Sequence, residues 1–461
     1  MSTKKVAIFG GSFNPPGLHH RRIAEMLSEH FDEVFIVPCG PRPDQPTVND
    51  ISPVYRAAMA DMAFEDLHNV HVELFDLEQA TFTRTHQLQE RFAEHGELWH
   101  VVGSDLTRGG GQGQSHIHAS WQRGAWLWDN LNFAVITRED ITVDPSDQPP
   151  HHLLLSIDSA GSSTEIRERL FKRLPYEHLV TDDVGAYINR YGLYRGRIPN
   201  SVTRFSLKEP RLLVEYDPWN EKARRWATRF ESMRVDHDPN CVLVIGGDGS
   251  MLRAIRKHWR RRLPFFGVNA GHLGFLLNSA EDVFSAPAPP PELMVHQLPL
   301  IYTRFEHIDG THSEGLAFND AWVERDGGQT AWLKVIVNKR VCFEKLVCDG
   351  VLVSTAAGST AYARAMGATP LLADTPAWLM VGSNVVSPRN WKSALISQDA
   401  EVFLKNLHPE KRPLKGFMDG IERTQILSMR ARLSRIASVE LAFLSHHDMA
   451  EKIAQIQFPP S

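Results

Sequence analysis

The sequence predicts an α/β protein in two successive parts: a parallel, doubly wound sheet over residues 1–197, then a second α/β segment that passes into an all-β region. Three observations lead there. Up to residue 195, short apolar runs alternate with amphipathic stretches, the pattern of strand–helix–strand crossovers. A second alternation of the same kind starts at residue 211. From residue 296 to 355 the spacing changes to short alternating strands.

In the first part, KKVAIF, DEVFIVP, NVHVELF, LWHVVGS and LNFAVITR are the expected strands. Between the first two, Ile23, Leu27 and Phe31 recur at helical spacing over 18–31. RGGGQGQS (108–115) is too glycine-rich to be an element and is expected as a flexible insertion. GRIPNSVTRFSLKEP (196–210) loses all periodicity, which sets a domain at 1–197 and a linker at 198–210. RLLVEYD, a helix near 219–233, CVLVIGGDGS, a helix with Met251, Leu252, Ile255 and Trp259 on one face, and PFFGVNA then build an α/β domain over 211–290. APAPPP (286–291) can continue neither helix nor central strand and marks its end. A β-rich domain at 291–445 follows, with a hairpin expected at Asn338-Lys339 in LKVIVNKRVCFEKL, and 446–461 is left as a tail.

The 461 residues are 42% apolar and 23% charged, the balance of a soluble globular protein. A net charge of −5 gives no reason to expect a general nucleic-acid binder, and no nucleic-acid partner is expected. Four scattered cysteines with no CxxC spacing point to reduced thiols. No run approaches the length of a membrane span and MSTKK leads straight into a strand, so a cytoplasmic protein with no signal peptide and no membrane partner is expected. His151-His152 and His446-His447 lack a spaced third ligand, so no metal site is assigned. Arg256, Lys257, Arg260, Arg261 and Arg262 are expected as a solvated helix end. Whether the chain forms a homo-oligomer is left open.

Ligands of an open parallel sheet bind beyond the carboxyl ends of its strands. GGSFNPPGLHH (10–20) sits there. Gly10 and Gly11 allow close backbone approach, Pro15 and Pro16 fix the path into the helix, and His19 and His20 fall at its N-terminus, where free N–H groups favour anions. The stretch resembles the G-G-[ST]-F-[DN]-P-x-H-x-G-H signature of the nicotinamide and nicotinate mononucleotide adenylyltransferases. A second signature of that family, S-S-T-x-I-R, is present as Ser162-Ser163-Thr164-Glu165-Ile166-Arg167. VVGSD (101–105), His118-Ala119-Ser120-Trp121, Arg138 and VGAYINRYGLY (184–194) match further family positions.

The resemblance implies a Rossmann-like nucleotidyltransferase domain. ATP and a pyridine mononucleotide would be held by Gly10, Gly11, Ser12, Phe13, His19, Gly103, Asp105, Trp121, Arg138, Ser163, Thr164 and Arg167, with Trp121 stacked on the pyridine, His20 catalytic, and Mg²⁺ arriving with ATP. One departure bears on activity: where the family has H-x-G-H, this chain has Gly17-Leu18-His19-His20. The first histidine is missing and the compact glycine has become His19. A lost phosphate donor costs about 10²–10³ in rate, unless His19 swings in to replace it.

In the second part a buried strand enters Gly246-Gly247-Asp248-Gly249-Ser250 and then a helix. Glycines let phosphates approach the backbone, and a carboxylate there can take the proton of a sugar hydroxyl as it is phosphorylated. GGDGS, GVNAGHLGFL (267–276), Asn319-Asp320, DGVLVSTAAGSTAY (349–362) and Asp419-Gly420 together resemble the NAD kinase family. By that resemblance Asp248 is the catalytic base. Asn319 and Asp320 hold ribose and adenine groups of NAD, and Asp349 reaches toward the nicotinamide side. Gly358, Ser359, Thr360, Ala361 and Tyr362 line the dinucleotide pocket; Gly247 and Gly249 supply backbone, and Arg253 is a phosphate ligand. Ala356 and Ala357 replace the family's Pro and Thr, the histidine usual before the late strands is not evident in VVSPRNWKSALIS, and the α/β part before GGDG is short.

The resulting expectation is a bifunctional NAD(P)-biosynthesis enzyme. Its first domain would join nicotinamide or nicotinate mononucleotide to AMP from ATP, and its second would phosphorylate NAD. Two alternatives stand beside it: a first domain that only senses nucleotides, favoured by Gly17 and His19 and opposed by intact SSTEIR, and a lipid kinase sharing the glycine loop, opposed by Asn319-Asp320 and GSTAY.

Overall fold

A computed structural model describes residues 4–42, 51–138, 143–158, 161–271, 274–285, 292–447 and 449–458, and the chain divides into two units, Met1–Pro199 and Asn200–Ser461. The boundary expected at 286–291, His272 and Leu273 of GVNAGHLGFL, and the Arg138 side chain lie outside the described residues.

The first unit is built on six strands: β1 (Lys5–Gly11), β2 (Glu33–Pro38), β3 (Val70–Val72), β4 (Glu97–Gly103), β5 (Asn132–Arg138) and β6 (His152–Ile157). All run parallel in the order β3-β2-β1-β4-β5-β6. Strand order reverses between β1 and β4, so a crevice opens beyond their carboxyl ends. Val6, Ala7 and Ile8 are buried in the middle of the sheet, as a parallel strand covered on both faces requires. The helices are α1 (Leu18–His30), α2 (Pro53–Phe64), α3 (Phe75–Gln79), α4 (Thr85–Arg91), α5 (His116–Ser120), α6 (Gly124–Asn130), α7 (Ser163–Phe171) and α8 (Asp182–Tyr191). Of the stripe expected on the first helix, Leu27 and Phe31 are buried and Ile23 is half-buried. RGGGQGQS is not an unstructured insertion: Gly110–Gln112 form a 3₁₀ turn, with Gly110 N–H on Thr107 O at 2.9 Å.

In the second unit β8 (Leu212–Tyr216), β9 (Cys241–Gly246) and β10 (Pro264–Asn269) run parallel beside α9 (Glu221–Ala227), α10 (Asp248–His258), the two-residue β11 (Asn278–Ser279) and α11 (Ala280–Ser285). The helix expected at 219–233 is α9 followed by a 3₁₀ turn at Thr228–Met233. Two long strands carry the rest. β12 (Glu292–His307) pairs antiparallel with β23 (Ile426–Leu444), from Leu293–Leu444 to His307–Ile426. The end of β23 also pairs parallel with β10, and its start pairs with β20 (Glu401–Asn406), which pairs with β15 (Ala331–Val337) and through it β16 (Arg340–Cys348). The α/β and β-rich segments thus share one sheet, with β13 (His312–Ala317) on its β12 edge.

β7 (Val202–Ser206), within the stretch expected to be a linker, is a strand on β12. A six-stranded antiparallel sheet completes the unit: β14 (Asp320–Arg325), β17 (Gly350–Ser354), β18 (Ala377–Ser383), β19 (Ser393–Ser397), β21 (Leu414–Met418) and β22 (Ile421–Arg423). Phe305, Val323, Leu333, Val351, Trp378 and Leu404 pack between the sheets. The β15–β16 hairpin turns at Asn338 and Lys339, both at positive φ (50° and 66°), the type I′ conformation that matches strand twist.

The short α12 (Tyr362–Ala365) follows β17, and the expected tail contains α13 (Met449–Gln457). The basic cluster is not simply solvated: Arg262 is buried with Nη1 on Ile436 O at 3.0 Å, and Lys257 pairs with Glu215 at 2.8 Å. All four cysteines are free thiols. No helix among the described residues is long and apolar enough to cross a membrane.

Candidate functional sites

Beyond β1 and β4 the first unit has a cleft of about 720 Å³ lined by Gly10, Gly11, Asp105 and Trp121, four of the residues expected there. α3 to α6 and the Phe82–Thr85 segment close its sides. Arg42 and Arg84 flank Phe82 at 5.4 and 6.0 Å from the ring centroid and bring positive charge to the wall. Asp76 anchors this segment, accepting from Thr83 N–H at 2.9 Å and Thr83 Oγ1 at 2.6 Å. Arg42, Arg84 and His116 were not predicted; none sits in a glycine-rich or paired motif. His100, buried under the cleft, is pushed down by burial to a pKa of about 4 and is neutral.

The loop from Ser12 to Gly17 is held from behind by side chains that take its carbonyls. Arg56 of α2, buried and absent from the predicted set, donates to Ser12 O and to Cys39 O at 2.8 Å. From α7, Ser163 Oγ donates to Pro15 O at 2.8 Å, and Arg167 donates to Asn14 O at 2.7 Å and Thr164 Oγ1 at 3.2 Å. Ser162 caps α7, accepting from Glu165 N–H at 3.1 Å. The two signature segments, 148–153 residues apart in the chain, therefore meet. Phe13 is wholly buried against Phe9 and Phe64, so its side chain packs and only its backbone is available to a ligand. Gly103 ends β4 and its carbonyl accepts from Leu106 N–H at 3.0 Å, the turn that carries Asp105.

His20 Nδ1 accepts the Gly17 N–H at 3.1 Å, which leaves the imidazole proton on Nε2. Burial, with a smaller push from His19, holds its pKa well below the usual imidazole range. The His19 and His20 ring centroids are 3.9 Å apart. A side chain at Gly17 would place Cβ 2.7 Å from His19 Cε1 and Nδ1 and 2.9 Å from Ile166 Cδ1, so the His19 ring fills the space such a residue would need.

In the second unit Asp248 is the first residue of α10, directly beyond β9. Its two carboxylate oxygens accept Phe275 N–H at 3.1 Å and Leu276 N–H at 3.0 Å. Burial raises its pKa, while these N–H groups and the Lys452 charge pull it back. Cβ positions at Gly247 and Gly249 are open to approach, and Arg253 Nη2 donates to Ser250 Oγ at 2.9 Å.

Asp419, at φ +45° between β21 and β22, accepts from three consecutive N–H groups: Phe318 at 2.7 Å, Asn319 at 2.8 Å and Asp320 at 3.3 Å. Its own carbonyl takes Arg256 of α10 at 3.1 Å, which joins that helix to the Asn319-Asp320 turn. Gly358 lies so close that a Cβ there would be 2.2 Å from Asn319 O, and its N–H reaches Thr355 Oγ1 at 2.9 Å. Ser359 Oγ accepts Leu371 N–H at 2.7 Å. Beyond it Thr360 and Ala361 lead to Tyr362, whose exposed ring rests edge-on against Trp322 at 5.2 Å; Trp322 stacks on Phe417 at 4.6 Å. Asp349 is already engaged, with Arg325 Nε at 2.7 Å and Asn384 Nδ2 at 2.7 Å. Asp320 is buried beside the Asp419 charge, and burial first and that charge second raise its pKa to about 7.

Residues 8–169 match a family model described as cytidylyltransferase-like, and residues 200–286 match the ATP-NAD kinase N-terminal domain. Among curated proteins, the NAD kinase of Brucella suis biovar 1 (strain 1330) is 31% identical over 225 residues, 48% of this chain and 86% of that protein. The NAD kinase of Rickettsia bellii (strain OSU 85-389) is 31% identical over 221 residues, again 48% and 86%. Among solved structures, yeast NADH kinase complexed with NADH aligns over 57% of this chain and 92% of that one, with TM-score 0.49 and 15% identity.

Asp320 has a checkable consequence. Between its ordinary value of 3.8 and about 7, the folded chain keeps the Asp320 proton and the unfolded chain releases it. The folded state is therefore favoured at the acid end of that window, and stability declines as pH rises through it and levels off above. Asp320→Asn should flatten this slope: urea midpoints at pH 5 and pH 8 should lie closer together than in the parent.

Proposed function

The chain belongs to the NAD kinase family, and from that premise we propose that its second unit phosphorylates the adenosine-ribose 2′-hydroxyl of NAD, giving NADP. A ribose hydroxyl is not acidic, so its proton must pass to a base as the new P–O bond forms. Asp248 has the required form. Its carboxylate is fixed by two backbone N–H groups at a glycine-lined strand exit and made more basic by burial, and this is the observation that carries the proposal. Asn319 and Asp320 would take ribose and adenine groups, Asp349 the nicotinamide side, and Thr360, Ala361 and Tyr362 the pocket wall. Arg253 and the backbone at Gly247 and Gly249 would face the phosphates of ATP or polyphosphate.

For the first unit the proposed reaction is adenylyl transfer. A phosphate oxygen of nicotinamide or nicotinate mononucleotide attacks the α-phosphorus of ATP, the α–β bridging bond breaks, and pyrophosphate leaves. The nucleophile is already an anion, so alignment and charge neutralisation suffice. The mononucleotide would lie in the cleft against Trp121, with Asp105 and Gly103 at its floor and Arg138 at the end of β5. The triphosphate would lie at the α1 and α7 N-termini, with Gly10, Gly11 and Ser12, His19 and His20, Ser163, Thr164 and Arg167 around it. Among the described residues no three His, Cys, Asp or Glu converge as a ligand set. Mg²⁺ would come as the ATP complex, on phosphate oxygens and water, and offset phosphate charge. A sensing module that makes no dinucleotide is the competing reading; against it stands the intact SSTEIR segment, whose Ser163 and Arg167 hold the Pro15 and Asn14 carbonyls.

Asp248→Asn should lower NADP formation by about 10²–10⁴ and leave dinucleotide synthesis from ATP and either mononucleotide intact; loss of both would contradict independent sites. Gly17→His should depress adenylyl transfer by about 10–10² through crowding of the His19 ring, and Gly17→His combined with His19→Gly should restore it. A parent chain that forms no dinucleotide from either mononucleotide would leave the sensor.

A further inference from the structure

Asp248 owes its placement to a turn distant in sequence. The N–H groups that hold its carboxylate belong to Phe275 and Leu276, and the carbonyls flanking them are those of Gly274 and Leu277. Both carbonyls accept from one ammonium: Lys452 Nζ lies 2.8 Å from Gly274 O and 2.7 Å from Leu277 O. Lys452 sits in α13, next to the buried Ile453 that seats the helix. One cation therefore spans the turn, oriented by its carbonyls, while the turn's N–H groups grip the carboxylate.

We propose that Lys452 is a positioning residue for phosphoryl transfer, holding the Gly274–Leu277 turn so that its N–H groups aim the Asp248 carboxylate at the reacting hydroxyl. This rests on the kinase reading above. The role is more than mechanical, because the ammonium is a half-buried charge close enough to act on Asp248. Among the described residues Lys452 is the charged group that favours the Asp248 carboxylate, and Asp282 of α11 acts in turn on Lys452. Removing the cation should loosen the turn and make Asp248 harder to ionise, both of which slow the chemical step. Neither effect requires NAD to bind less well.

The test uses the full chain with Lys452→Met, Lys452→Gln and Lys452→Arg, following NADP formation against NAD concentration and pH. Met should lower kcat by about 10² with KM for NAD within about twofold, and should move the acidic limb of the kcat profile to higher pH. Gln, which keeps a donor without the charge, should show the same pH displacement with a smaller fall in kcat. Arg should recover most of kcat and the parental profile. Unchanged kcat and pH profile in Met, or in Gln where Met does not fold, would overturn the inference, as would an Arg variant no better than Gln. A parent chain that makes no NADP would instead remove the kinase reading itself.

Discussion

Two half-buried carboxylates organise the second unit, and both are satisfied by main-chain N–H groups supplied from far along the chain. Asp248 is held by the turn at 275–276, and Asp419 by residues 318–320, about a hundred positions away. A buried carboxylate without partners costs several kcal/mol, so each of these loops is fixed by a penalty it would incur on leaving. The consequence is a fixed backbone where β14 begins and where the 3₁₀ turn at Ala357–Thr360 meets it. Asp419 accepts from the Asn319 and Asp320 N–H groups and Thr355 from that of Gly358, and together they set the backbone path there. The raised pKa of Asp320 comes first from its own burial and second from the Asp419 charge that this arrangement brings beside it.

The first unit solves the converse problem. Its ligand loop is tied by cations and hydroxyls that consume carbonyl groups: Arg56 on Ser12, Arg167 on Asn14, Ser163 on Pro15. With Ser12 O turned toward Arg56, the planar peptide directs the Phe13 N–H to the opposite side. Only this peptide gains an oriented donor, because the Asn14 and Pro15 carbonyls are each followed by a proline nitrogen without N–H; there the pinning fixes the path of the loop into α1. The two units thus fix their irregular backbone in opposite senses, one through its carbonyls and the other through its N–H groups.

Much of this was legible in the sequence because it depends on local pattern. Parallel strands appear as apolar runs, the Asn338-Lys339 hairpin as a turn pair tolerant of positive φ, and glycine loops as strand exits. Ser163 and Arg167 were legible as a motif. What escaped depends on pairings with no local mark. Arg56 is one arginine in an otherwise ordinary helix, and Lys452 lies in a short segment 175–178 residues from the carbonyls it binds. β7 was hidden by flanking Pro and Ser, since an edge strand on β12 needs only five residues of pairing. Arg262 looked solvated because its neighbours are charged, but its acceptor belongs to β23.

The departures from family pattern gain sense from the same contacts. Where a pocket threonine is replaced by Ala357, the side chain faces an apolar cluster that includes Val242, Met251 and Phe318. The neighbouring Thr355 supplies the hydrogen bonds instead, donating to Phe318 O at 2.7 Å and accepting the Gly358 N–H. The turn thus keeps its shape with one hydroxyl rather than two. At Gly17 the compensation runs the other way: a side chain is absent where one is usual, and the ring two residues later occupies its volume. In both places a missing group is matched by a neighbour within the same turn of chain. At Gly17, loss without replacement would leave a void, and the His19 ring fills it.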